Sequence, residues 1–316
     1  MEADSRAQTA AIVARDAQEF ESERRRLTLL AYRLCGSWAD AEDIVQQVAI
    51  EWLRAPAPIV NPGGWLTKVA VRRALDRLRS RQRDADYVGP WLPEPLATSA
   101  LPHEHLERTD ALSTAFLLLA EHLTPPQRAV VVLRSLDYSH PEIASILDIT
   151  PAASRQHHTR GTRRLADLDG RGIDHDSGLG PTSGVDHSET AGKLLRSFLV
   201  AAREGDLDAL TALLHEDVRA FQDGGGKVRS ARRVLVGVPN VARFAIGVAS
   251  LHEHRRSAQP MFVNGAPGAV LTLSDVTHVL SLEVRGGRIY RLFDVCNPDK
   301  LHIPSIEARS RLAEAG

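Results

Sequence analysis

The chain has 316 residues, of which 25% are charged, and a formal net charge of -1. That length accommodates two or three separate cores, and the near-neutral sum excludes a uniformly polycationic protein while leaving room for local basic clusters. Cys35 and Cys296 are the only cysteines and form no CxxC pair, which argues against a disulfide framework or a cysteine-rich zinc site and fits a reducing compartment.

The first residues, MEADSRAQTAAIVARDAQEF, contain no apolar signal core. No later stretch approaches the roughly eighteen apolar residues needed to span a bilayer, so a cytoplasmic chain with no membrane partner is expected. None of the 13 histidines falls in HExxH. Adjacent His157 and His158 would point about 100° apart on a helix, and neither a metal nor another cofactor is expected.

From Phe20 to Arg54 apolar residues recur at intervals of three and four (Leu30, Leu34; Ile44, Val48, Trp52), which predicts amphipathic helices broken near Gly36 and Ser37. The stretch APAPIVNPGG interrupts that pattern, and a further helix is predicted from Trp65 to about Arg83. It carries Lys68, Arg72, Arg73, Arg77, Arg79, Arg81 and Arg83 against a single internal acid, Asp76. Lys68, Arg72 and Arg79 share a face suited to phosphate, although such a run, taken alone, also reads as a solvated surface.

YVGPWLPEPL, a Pro-rich phrase with Trp91 at its centre, reads locally as a rigid turn. Helices are predicted from Glu104 to His122 and from Pro125 to Ser135. YSHPEIASILDITPAASRQHHTRGTRRLADL follows as helix, turn, helix, with Thr150 as N-cap and Pro151 at the first helical position. Ile143, Ala144, Leu147 and Ile149 form the packed corner, while Ser154, Arg155, His158, Arg160, Arg163 and Arg164 are candidates for a major groove. The alternative for this segment alone is an ordinary helical hairpin.

Gly170 to Thr190 is rich in Gly, Ser and Asp and reads as a flexible linker. Beyond it, AGKLLRSFLVAARE and DLDALTALLHEDV are predicted helices. AVLTLSDV, THVLSLEV and RIYRLFDV are predicted strands, with a hairpin at Arg285–Arg288, which together suggest an α+β domain with an antiparallel sheet.

The chain from about Phe20 to Leu168 resembles the extracytoplasmic-function sigma factors of bacterial RNA polymerase. DAEDIVQQV is similar to their polymerase-binding helix in region 2, NPGGWLTKVAVRRALDRLRS to the helix that meets the upstream promoter element, and LTPPQRAVVVLRSLDYSHPEIASILDITPAASRQ to region 4. YVGPWLPEPL, DGGGK at Asp223–Lys227 and NPDKL at Asn297–Leu301 together resemble the signature of a subgroup with a SnoaL-like C-terminal extension, thought to regulate the factor in cis.

That resemblance implies a multidomain fold: two all-α sigma domains, the region 2 bundle and the region 4 helix-turn-helix, followed by an α+β SnoaL-like cone domain. The implied boundaries are region 2 at 15–85, a connector at 86–103, region 4 at 104–169, a linker at 170–190 and the cone at 191–305. The implied partners are RNA polymerase core and promoter DNA. Polymerase contact falls to Asp40, Glu42, Asp43, Gln46 and Gln47, and DNA contact to Lys68, Arg72, Arg73, Asp76 and Arg79 together with the region 4 residues above. The regulatory contact falls to Trp91, Leu92, Pro93, Glu94, Pro95, Asp223, Gly224, Gly225, Gly226, Lys227, Asn297, Pro298, Asp299 and Lys300.

Three residues depart from the family's pattern: Asp148 where the turn usually has Gly, Ser154 where an apolar residue is common, and Gly161 where Ala is usual. A helix-interior Gly costs about 1 kcal/mol relative to Ala, which predicts weak DNA holding or a frayed helix end. The chain is expected to do no covalent chemistry. Two rival readings stay open for the cone: an isomerase- or cyclase-type enzyme using Asp223, Asp294 and His278, or a binding domain for an unidentified small molecule.

Overall fold

The computed structural model describes residues 2–55, 59–81, 87–98, 113–169, 185–251 and 256–301. The chain divides into two compact units, one formed by residues 1–85 and 119–174, the other by 86–118 and 175–316. Its path therefore leaves the first unit, enters the second and returns before finishing in the second.

The first unit is helical: α1 (Glu2–Cys35), α2 (Trp38–Arg54), α3 (Pro62–Arg81), α5 (Pro125–Ser135), α6 (His140–Leu147) and α7 (Pro151–Asp169), with the short α4 (Thr114–Ala120) where the chain passes between units. The predicted break stands where Gly36 takes φ 67° and Ser37 caps α2 by accepting the Asp40 N–H. α3 starts at Pro62, three residues earlier than expected, because Asn61 Oδ1 accepts the Gly64 N–H and so caps the helix before Trp65. Leu30, Leu34, Val48, Leu66, Ala70 and Ala74 are buried, as the apolar period requires. Of the helix predicted from Glu104 to His122, Thr114–Ala120 is helical and residues 104–112 lie outside the described set.

The helix-turn-helix is built as its sequence implies. Ser139 and Glu142 form a capping box at α6, and Thr150 Oγ1 accepts the Ala153 N–H at the start of α7. Asp148 closes α6 in the left-handed region (φ 53°), a conformation Asp tolerates better than most residues and the reason Gly is common there. Gly161 is neither a frayed end nor a defect: a Cβ there would sit 2.7 Å from Val131 Cγ2, so the missing side chain lets α7 pack against α5.

The second unit is a sheet with helices packed on its apolar face. α8 (Val185–Glu204) and α9 (Leu207–Leu213) lead into β1 (Leu214–Asp223) and the two-residue β2 (Leu235–Val236). α10 (Val238–Leu251) follows, then β3 (Arg256–Val263), β4 (Ala266–Leu273), β5 (Val276–Arg285) and β6 (Arg288–Val295). The strand order is β2-β1-β6-β5-β4-β3.

Three expectations are corrected here. The linker ends sooner than Thr190, because Val185–Thr190 already belong to α8; residues 170–184 lie outside the described set. The predicted helix DLDALTALLHEDV stops at Leu213, and Leu214 onward is β1, since Leu214, Val218 and Ala220 are needed on the apolar face of the sheet. The sheet is not wholly antiparallel, because β1 runs parallel to β6, with Gln222 opposite Asp294 and Asp223 opposite Val295.

Gly161→Ala isolates the balance between helix propensity and packing. Propensity alone predicts about 1 kcal/mol of stabilisation. The 2.7 Å approach to Val131 instead predicts a net loss of about 1–3 kcal/mol, read by urea unfolding. Val131→Ala in the same chain should relieve the clash, so the two changes are non-additive.

Candidate functional site

In the first unit, α2 shows Glu42, Asp43, Gln46 and Gln47 to solvent on one face, while Ala41, Ile44, Val45 and Val48 are buried on the other. Asp40 is separated from that exposed set. It is 5% exposed and its Oδ1 accepts the Arg77 Nε–H at 2.9 Å, which raises the Arg77 pKa through that hydrogen bond and the charge behind it. Its place is inside the helical bundle, tying α2 to α3. The exposed face continues through Ile50 and Leu53, which are 48% and 65% exposed. The signal that could have found them was their spacing from Gln46, one and two turns on.

Lys68, Arg72, Arg73 and Arg77 of α3 are paired with acids from other elements, and Arg79 with an acid of its own helix. Lys68 Nζ lies 2.6 Å from Asp148 Oδ1, and Arg72 contacts the same carboxylate through Oδ2. Arg73 pairs with Glu51 at 2.6 Å, and Arg79 with Asp76 at 3.0 Å. The sequence showed one opposing acid within the run; the fold supplies Asp40, Glu51 and Asp148 from α2 and the turn.

On α7, Arg155, Arg160, Arg163 and Arg164 are exposed. Ser154 is not: it is fully buried and its Oγ lies 2.9 Å from His140 Nδ1, inside the motif. His158 is also turned inward, its ring 5.7 Å from that of His140, and burial followed by the Arg134 charge and the neighbouring histidine lowers its pKa. The outward face instead carries Arg155, Gln156, Thr159, Arg160 and Arg163, all exposed. Gln156 and Thr159 were not singled out from sequence, although they lie one and four residues beyond Arg155.

In the second unit the three motifs meet at one carboxylate. Asp223, the last residue of β1, is fully buried. Its Oδ1 accepts the Tyr87 hydroxyl and, at 3.1 Å, the Gly225 N–H. Its Oδ2 accepts the Leu92 N–H at 2.8 Å and Lys300 Nζ at 2.7 Å. Lys300, itself 7% exposed, also donates to the Leu92 carbonyl at 2.5 Å and lies 4.3 Å from the Trp91 ring centroid and 4.8 Å from that of Tyr87. Burial, with the Asp223 hydrogen bond adding to it, pushes the Tyr87 pKa well up, so the phenol stays a donor.

The supporting residues follow from this centre. Asn297 Nδ2 donates to the Tyr87 hydroxyl at 3.0 Å, and the Cys296 and Asn297 N–H groups both reach the Asp223 carbonyl. Gly225 (φ +57°) is obligatory, since a Cβ there would sit 2.2 Å from Asn297 Nδ2. The Gly224 carbonyl accepts the Lys227 and Val228 N–H groups, and Gly226 faces Val88. Lys227 pairs with Asp299 at 2.6 Å across the short helical turn Pro298–Lys300. Pro93, Glu94 and Pro95 are buried, and Leu92 packs on Phe293 and Val295.

The connector then runs along the β3–β4 turn. Leu96 N–H donates to Asn264 Oδ1 and its carbonyl accepts the Asn264 N–H, both at 2.8 Å. Gly265 N–H donates to Thr98 Oγ1 at 3.0 Å. Asn264-Gly265 is a short hairpin signal that the sequence reading passed over.

His278 and Asp294, two of the three residues of the rival enzyme reading, do meet: Nδ1 lies 3.0 Å from Oδ1. Asp223 does not join them, because it points to the connector while its neighbour Gln222 lines a cavity with His278 and Asp294. Cys296 is the third member of a cluster whose donor atoms lie within 4.8 Å of one another. Burial, then the Asp294 and Asp223 charges, push its thiol up to about 12.

Residues 20–84 match the family of Sigma-70 region 2 and residues 113–165 that of Sigma-70, region 4. The chain is 34% identical over 307 residues to the ECF RNA polymerase sigma factor SigJ of Mycobacterium tuberculosis, covering 90% of this chain and 93% of that protein. It belongs to the ECF sigma factors of RNA polymerase. A second relative, the probable ECF RNA polymerase sigma factor SigI of the same organism, is 26% identical over 293 residues, with 89% and 93% covered. The crystal structure of M. tuberculosis SigJ superposes with a TM-score of 0.71 at 30% identity, covering 90% of this chain and 98% of that one. The helical unit thus carries sigma regions 2 and 4, whose partners are polymerase core and promoter DNA. No helix among the described residues is long and apolar enough to cross a membrane.

Asp223→Ala removes the acceptor for four donors and strands the Lys300 ammonium in a buried position. Removing one partner of such a pair typically costs about 3–5 kcal/mol. Lys300→Met should cost less, because Asp223 keeps the Tyr87, Leu92 and Gly225 donors. Urea unfolding of the full chain, followed by Trp91 emission in a variant without the other three tryptophans, orders the two.

Proposed function

We propose that the SnoaL-like domain of this sigma factor regulates it in cis by holding the connector between regions 2 and 4. The observation that carries this is the convergence of WLPEP, DGGGK and NPDK on the buried Asp223–Lys300 pair. The connector leaves the helical unit after residue 85, and the chain re-enters it at residue 119, within the region 4 match that begins at residue 113. Fixing its backbone to the cone restricts the separation the two DNA-reading modules can adopt. Because the lock is intramolecular, even modest contacts keep it mostly closed.

Within the sigma unit, Glu42, Asp43, Gln46 and Gln47, extended by Ile50 and Leu53, form the surface offered to the polymerase. Their mix of acids, amides and apolar groups suits a basic helical partner with an apolar core. Arg155, Gln156, Thr159 and Arg160 are positioned for base edges near the start of α7, and Arg163 and Arg164 for phosphates. Lys68 and Arg72 serve the upstream element once Asp148 has been displaced.

Reconstituted transcription with polymerase core tests this. Loss of the Trp91 contact with Lys300, worth about 1–2 kcal/mol, changes the closed-to-open ratio of the lock by about fivefold to thirtyfold. Trp91→Ala and Lys227→Ala should therefore raise transcription and widen the distance between labels on regions 2 and 4. If both readouts stay at their wild-type values in both variants, the lock does not regulate.

Asp43→Arg is the complementary test of the polymerase face. The side chain is exposed, so the fold should persist by circular dichroism while association with core, measured by pull-down, falls by at least tenfold.

A further inference from the structure

After Asp223 the chain carries no acidic residue until Glu253, and within that interval four cations, Lys227, Arg229, Arg232 and Arg233, crowd into one short segment. In a chain whose formal net charge is -1, this is a local excess of one sign. The segment is the loop between β1 and β2.

The fold fastens the backbone of this loop and leaves its cations outside. Val228, Ser230 and Ala231 are half-buried, while Arg229, Arg232 and Arg233 are exposed. Gln222 Oε1 accepts the Ala231 N–H at 2.9 Å, the Gly224 carbonyl accepts the Lys227 and Val228 N–H groups, and Leu235 of β2 pairs with Ala220 of β1 just beyond the loop. Lys227 is occupied by Asp299. Among the described residues, Arg229, Arg232 and Arg233 have neither an ion pair nor a side-chain hydrogen bond. They differ in this from Lys68, Arg72, Arg73 and Arg77 of α3, each of which is held by a carboxylate. Neighbouring guanidinium groups repel one another, so the loop favours an anion that extends across all three.

The position of the loop selects the anion. Gly226 faces Val88, and a Cβ at Gly89 would lie 3.8 Å from Arg232 Cα, so the loop rests against the connector. The connector joins the region 2 match, which contains α3, to the region 4 match, which contains α7. DNA held by either helix is therefore tethered in cis to this loop, which raises the effective concentration of phosphate around it. A guanidinium fork matches phosphate oxygens and requires no particular base.

We propose that Arg229, Arg232 and Arg233 form a DNA contact on the α+β unit, taking the phosphate backbone of the promoter duplex that regions 2 and 4 read. The contact adds affinity without sequence preference. It rests on the DNA-binding role of regions 2 and 4 but not on the connector lock, because none of the three arginines joins the Asp223–Lys300 pair.

The test follows binding of the full chain to a labelled duplex of scrambled sequence by fluorescence anisotropy over a potassium chloride series. Making Arg229→Gln, Arg232→Gln and Arg233→Gln together should lower the slope of log K against log salt by about 2–3 and weaken binding at low salt by about tenfold or more. The matching triple change to Lys should keep the wild-type slope. Trp91 emission and the distance between labels on regions 2 and 4 should stay at their wild-type values in both triple variants, so a failure of the lock and a failure of this contact are read separately. Poly-L-glutamate serves as a second probe, for an acidic protein as the occupant. The proposal is overturned if the wild-type chain does not bind the duplex, if the Gln variant keeps the wild-type slope, if the Lys variant loses it, or if the Gln change weakens binding of poly-L-glutamate but not of the duplex.

Discussion

A buried carboxylate facing a buried ammonium is a costly object, and the second unit is arranged around one. Asp223 and Lys300 lie 2.7 Å apart with side chains 0% and 8% exposed. Their desolvation is offset only if the remaining lone pairs and protons are satisfied. The connector supplies that satisfaction: the Leu92 N–H and carbonyl, the Tyr87 hydroxyl and two aromatic faces. The connector's order and the charge pair are therefore mutually dependent. The pair has its full set of partners only with the connector present, and the Pro-flanked Trp91 segment has its anchor only with the pair formed.

The sheet gives this arrangement a second consequence. Side chains alternate along a strand, so β1 and β6 each serve two faces. Gln222 and Asp294 face the cavity, while Asp223, Phe293 and Val295 face the connector. The parallel pairing of β1 and β6 keeps these sets in register, Gln222 opposite Asp294 and Asp223 opposite Val295. A one-residue slip would exchange the faces and destroy both the lock and the apolar cavity.

Much of this was legible in the sequence, and what was not has identifiable causes. The helix-turn-helix was readable because Ser139, Glu142, Thr150 and Pro151 specify their caps locally. The three signature motifs were readable as a resemblance, and the fold brings them together. The start of β1, Leu214 to Val218, reads as helix because Leu213 and Leu214 continue a helical apolar spacing; only the demand of the sheet for Leu214 and Val218 ends it. Asp40, Ser154 and His158 were assigned to surfaces because their types suit contacts. Asp40 and Ser154 are buried and His158 is half-buried against Arg77 and His140 on other helices, which no local pattern reveals. Gly161 seemed a defect for the same reason, since its neighbour Val131 is thirty positions away.

Asp148 shows how a departure from a family pattern acquires a physical role. Gly at a left-handed position would cost nothing in strain, but it would leave Lys68 and Arg72 without a carboxylate. All three side chains are substantially solvated, at 31%, 52% and 55% exposure, and pairs of this kind contribute only about 0–1 kcal/mol each. A duplex presents a dense line of phosphates and releases counterions when it is bound, a far larger gain for the same two cations. The Asp148 contact occupies Lys68 and Arg72 in this structure, and on the DNA-binding role proposed for them it is weak enough to yield to DNA. On the cis-regulatory reading proposed above, the regions 2 and 4 it joins are the modules whose separation the connector lock restrains, and promoter binding then works against both an exposed ion-pair cluster that DNA can outcompete and a buried one that it cannot reach by charge alone.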